Sequence, residues 1–164
     1  MTKPFRALVA AFVVFGSLFM GVGPADAASG RIVASSIGMN APVKHVGVKN
    51  GRLQIGSNLH TVYTKRGGDP PCDQSGSTMY AGHAWQSGNG VADKWLQLER
   101  GDVIRVAGCK FKVIKKEVWD DGRKVGSLSR PDGPPLINLY GCKADDYDFA
   151  TVVTARKLGK NTPF

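Results

Sequence analysis

A chain of 164 residues with 42% hydrophobic side chains and 21 glycines has the material for one domain with a full core, and it shows no internal repeat or second domain. Its 22 basic and 13 acidic side chains give a formal charge of +9, which suits an anionic cell envelope or a plain solvated surface. The three cysteines fall in no Cys-x-x-Cys spacing and no His-x-x-x-His pair accompanies them, which argues against a zinc site.

Residues 1–27 read as an export signal. Lys3 and Arg6 form a basic start, Ala7 to Val22 is an apolar run, and Ala25-Asp26-Ala27 is a small-x-small cleavage site. A retained membrane anchor is the alternative, although the run is short for a span of about 20 residues. Export disfavours nucleic acid as a partner and points to a secreted or extracytoplasmic, envelope-associated protein. The domain proper is then 28–164.

From Arg31 onward the chain alternates short β-prone runs with Gly, Pro, Asn and Asp. Arg31 to Gly38 and Ala41 to Val46 are two strands around a turn. Asn50-Gly51 is a hairpin signal before Arg52 to Ile55. A polar connection through Gly67 to Asp73 follows, which no packed strand tolerates. Ser77 to Ala81 is a strand that delivers Gly82-His83-Ala84-Trp85. Val91 to Glu99 places Val91, Trp95 and Leu98 on one helical face. Val103 to Val106 and Phe111 to Trp119 are strands, the loop Asp120 to Pro135 separates them from Leu136 to Cys142, and Tyr147 to Arg156 closes the chain. About eight strands with one or two short helices predict an all-β, closed barrel.

Two residues stand out chemically. Cys142 and His83 each end an apolar strand and each adjoins a glycine, so both can sit at a rim of the barrel. A thiol nucleophile needs a base or cation beside it and an acid for the leaving amine, and histidine serves near neutral pH. A buried structural cysteine and a surface histidine are the plainer readings. His45 and His60 lie in polar surroundings and read as surface residues. With three cysteines in an exported chain, one stays outside any internal pair, and a Cys72–Cys109 disulfide leaving Cys142 is the preferred arrangement.

These segments, taken together, resemble the sortases, cysteine transpeptidases of Gram-positive cell envelopes. Arg31 to Val43 is similar to the family's first strands, and Tyr80-Ala-Gly-His83 to the strand carrying its catalytic histidine. Leu96 to Val106 is similar to Leu-x-x-Gly-Asp-x-Ile-x-Val, Leu139-Tyr-Gly-Cys142 to Leu-x-Thr-Cys, and Thr151 to Ala155 to the last strand. The resemblance implies a sortase-like barrel in which Cys142 forms a thioester with a Leu-Pro-x-Thr-Gly-like sorting signal and His83 is the general acid/base. A cell-wall or pilin amine would then accept the peptide. Trp85, Tyr140 and Gly141 flank the pair as the expected peptide-binding residues. No cofactor is implied, and calcium dependence is left open.

Two departures from the family pattern stand out. Gly141 replaces the threonine before the cysteine. The family's arginine at the start of the last strand has no counterpart, because Asp148, Phe149 or Ala150 holds that place. Lys143, Arg156, Arg123 and Arg130 are the cations that could stand in, and Arg130 is preferred. The alternatives to a transpeptidase are a catalytically inactive sortase-fold protein that binds envelope peptides and, on a faint likeness of Gly141-Cys142-Lys143, an L,D-transpeptidase.

Overall fold

The structure is a computed structural model that describes residues 30–67, 72, 75–120, 123–143 and 146–159, apart from the side chain of Tyr147. The export segment 1–27 and most of the Gly67–Asp73 connection lie outside the described residues.

Among the described residues, runs of Val, Ile, Thr and aromatic residues between turn formers give ten strands. They are β1 (Arg31–Ala34), β2 (Met39–Val46), β3 (Val48–Lys49), β4 (Arg52–Leu53), β5 (Val62–Lys65), β6 (Ser77–Gly82), β7 (Val103–Val106), β8 (Cys109–Asp120), β9 (Leu136–Lys143) and β10 (Asp146–Lys157). Among the described residues one helix, α1 (Val91–Trp95), and two single 3₁₀ turns, Ser35–Ile37 and Val125–Leu128, interrupt them. Eight strands close into a barrel in the order β1-β2-β5-β6-β9-β10-β8-β7, sealed where Ile32 pairs with Val106. Closure removes the exposed edges that an open sheet would present. β3 and β4 form a separate hairpin whose turn residues, Asn50 and Gly51, both have positive φ, the geometry that Asn-Gly favours.

Alternation along the strands sorts the side chains. Ile32, Met39, Ile104, Phe111, Ile137, Leu139 and Val153 point inward, and Trp95 and Leu98 join them; each is at most 1% exposed. A second, smaller core forms on the outer face of the sheet, where Trp119, Leu128 and Val152 are buried and Met79, Val125 and Tyr140 pack against them. The loop after β8 therefore lies against the sheet. Asn138 fixes it there, donating through Nδ2 to the Leu128 carbonyl at 2.8 Å while its Oδ1 accepts from Thr154 Oγ1 at 2.8 Å.

Three elements differ from the sequence reading. Arg31 to Gly38 is not one strand, because Gly38 adopts φ 60° and its N–H closes a turn onto Ser35. The helix read to Glu99 stops at Trp95, because Gln97 and Leu98 donate to Lys94 and Trp95 in i→i+3 turns and Asp102 accepts from the Glu99 N–H. β5 has no counterpart in that reading. Val62, Tyr63 and Thr64 are all buried, so the strand lacks the polar alternation that would announce it. The Cys72–Cys109 disulfide is present, with Cα atoms 5.7 Å apart, and Lys157 Nζ donates to the Cys72 carbonyl. No helix among the described residues is long and apolar enough to cross a membrane.

Candidate active site

Two neighbouring strands that run in the same direction deliver the two candidate side chains. In the β6–β9 ladder Tyr80 pairs with Leu139 and Gly82 with Gly141. The next residue on each strand, His83 and Cys142, therefore emerges at the same end of the barrel, with the strands about 4.8 Å apart. Both side chains are half-buried. Cys142 stays outside the disulfide and packs against the main core.

The glycines before them have a packing reason. A Cβ on Gly82 would strike Val91 and Trp95, and one on Gly141 would strike Ala92 and press on Trp95 and the Gly82 carbonyl. Helix α1 thus lies directly on both strands, one residue short of the reactive pair. Gly141, read as part of the peptide groove, faces this helix.

His83 is held on two sides. Its Nε2 lies 2.7 Å from the Gly56 carbonyl oxygen. A carbonyl can only accept, so Nε2 carries the proton, and the neutral ring keeps Nδ1 as its basic nitrogen. Tyr63 on β5 meets the ring edge-on, with centroids 6.3 Å apart and planes at 75°. The segment after His83 is fixed by Asp93, whose buried Oδ2 accepts from the Trp85 N–H at 3.0 Å and the Gly90 N–H at 2.7 Å. The Ala92 N–H adds a bond to the His83 carbonyl at 3.0 Å.

Gly56, Tyr63 and Asp93 escaped the sequence reading. Gly56 acts through its backbone, and Tyr63 lies on the unread strand. Only Asp93, an acid in the first helical turn, carried a signal, through its power to accept from N-terminal N–H groups.

Trp85 is 52% exposed beside His83, whereas Tyr140 is half-buried and packs on the second core. Register separates the four cations. Arg130 bridges Ser77, and Arg156 pairs with Leu136, so both backbones stand at the opposite end of β6 and β9, about 20 Å from the reactive pair. Lys143 follows Cys142 and pairs with Asp146. Arg123 is at the reactive end. Its guanidinium lies 3.9 Å from the centroid of the Trp119 ring, and Trp119 pairs with Ala150, which pairs with Cys142. Among the described residues no three His, Cys, Asp or Glu side chains gather to hold a metal ion.

No protein-family profile matches the chain, and no curated protein sequence does. Solved structures do match. Sortase A of Listeria monocytogenes shares 19% identity at a TM-score of 0.60, over 82% of this chain and 93% of that one. Sortase C-1 of Actinomyces oris shares 24% identity at a TM-score of 0.64, over 82% of this chain and 74% of that one. A lid mutant of Corynebacterium diphtheriae sortase A shares 18% identity at a TM-score of 0.63, over 82% and 72%. The closed eight-stranded barrel of this protein is the sortase fold.

Proposed function

We propose that the protein is a sortase-like cysteine transpeptidase of the cell envelope, with Cys142 as nucleophile and His83 as general acid/base. The parallel register of β6 and β9, which brings the two residues out side by side, is the observation that carries this reading. The Cys142 sulfur attacks the carbonyl carbon of a Thr-Gly bond in a sorting signal, and the thiol proton passes to His83 at Nδ1. His83 returns a proton to the leaving amine as the C–N bond breaks, which leaves a thioester. An amine of the cell wall or a pilin then attacks the thioester and releases the thiol. We assign the cation of this site to Arg123 rather than Arg130, because the Trp119–Ala150–Cys142 row runs toward the thiol while Arg130 bonds Ser77 at the far end. From the Trp119 ring the guanidinium can meet a substrate oxygen that develops charge.

Incubation of the purified protein with sorting-signal peptides, followed by intact-mass measurement, tests the reading. An acyl adduct that disappears with Cys142→Ala is the expected result. Absence of any adduct together with retained peptide binding supports the second reading, a peptide-binding protein without turnover, which the non-basic run Asp148-Phe149-Ala150 beside Cys142 favours.

A further inference from the structure

The outer face of β7, β8 and β10 carries a lane of cations: Arg105, Lys110, Lys112, Lys115 and Arg156. Arg105 pairs directly with Lys110, and Lys112 pairs directly with Arg156. Like charges directly opposed on adjacent strands repel and destabilise a sheet, and Lys112 opposite Arg156 is such a pair. Arg105, Lys112, Lys115 and Arg156 are exposed and Lys110 is half-buried. Glu117 sits at one end of the lane, 2.8 Å from Lys115 in a solvent-exposed ion pair that contributes little.

We propose that this lane binds a linear, phosphate-bearing polymer of the cell envelope. Opposed cations stand about 5 Å apart across the strands and successive outward residues about 7 Å apart along them, and Lys110 to Lys115 spans about 17 Å. A flexible chain with regularly spaced phosphates can lie along such a surface and meet several cations at once, releasing its counterions as it does so. Duplex nucleic acid is a poorer match, because a flat barrel face offers no helix or ribbon to enter a groove. The export-type N-terminus agrees with a partner outside the cell. The proposal is independent of the thiol chemistry, since the Arg156 backbone lies about 20 Å from Cys142 along the sheet.

The test is binding of the purified chain to poly(glycerol phosphate), titrated at several salt concentrations. Lys112→Glu/Arg156→Glu should weaken binding at least about 10-fold and flatten its salt dependence. The charge-matched Lys44→Glu/Lys65→Glu, on exposed positions of β2 and β5, should weaken it less than about 3-fold. Lys112→Glu alone should weaken binding yet raise the melting temperature, because it turns a repulsive pair into an attractive one. Equal losses from the two double variants would overturn the proposal, as would no measurable binding by the parent chain or tighter binding to duplex DNA than to the polymer.

Discussion

His83 donates its Nε2 proton to the Gly56 carbonyl, which leaves Nδ1 as the nitrogen the proposed mechanism uses. Truncation tests the proposed assignment of Arg123 as the cation of the site against its rivals. Arg123→Ala should slow thioester formation about 100-fold, while Arg130→Ala and Arg156→Ala change it less than about 3-fold, as read from single-turnover mass spectra. That His83 and Cys142 each follow an apolar run beside a glycine could be read from the sequence. That their strands are neighbours, and that the loop after β8 folds back onto Trp119, could not, since both depend on long-range contacts. Tyr80 gives a pH-dependent test. Burial pushes its phenol well above the ordinary tyrosine value of about 10. The contribution of the buried neutral phenol is complete below about pH 10 and is lost as pH rises from there toward the folded value, because the unfolded chain ionises first. Tyr80→Phe should reduce the loss of melting temperature between pH 9 and pH 11, measured by circular dichroism.

Among the elements, β6 and β9 were readable from their apolar runs, and the β3–β4 turn from Asn50-Gly51. β5 was hidden because three consecutive buried residues give no period-two pattern, and α1 was read too long because Leu98 stays buried after the helix has passed into i→i+3 turns. The junction of α1 with β6 and β9 gives Gly82 and Gly141 a packing reason. Gly141→Thr should destabilise the fold by about 1–3 kcal/mol through overpacking against Ala92 and Trp95. Ala92→Gly should recover part of that loss, and urea melts of the single and double variants check both outcomes. Asp93 holds the other flank of the junction through Trp85 and Gly90, so the candidate pair rests on a buried helix and one buried carboxylate.

At the scale of the molecule, strand count and the scarcity of helix pointed to a closed barrel. Closure itself depends on β1 meeting β7 across the chain, and the adjacency of β6 and β9 on pairing between segments far apart in sequence. Local patterns carry no record of such contacts. The disulfide joins the long β5–β6 connection to the first residue of β8 across a separation of 37 residues. Replacing both cysteines with alanine should lower stability by about 2–4 kcal/mol, seen as a fall in the denaturant midpoint. Adjacent parallel strands place His83 and Cys142 with backbones about 5 Å apart, inside the range a disulfide spans. The most direct measurement is therefore oxidation of the His83→Cys variant followed by peptide mapping. A bridge from the introduced thiol to Cys142, beside an intact Cys72–Cys109 bridge, is the predicted result. Two thiols that both remain alkylatable after oxidation, the introduced one and that of Cys142, would contradict the shared site.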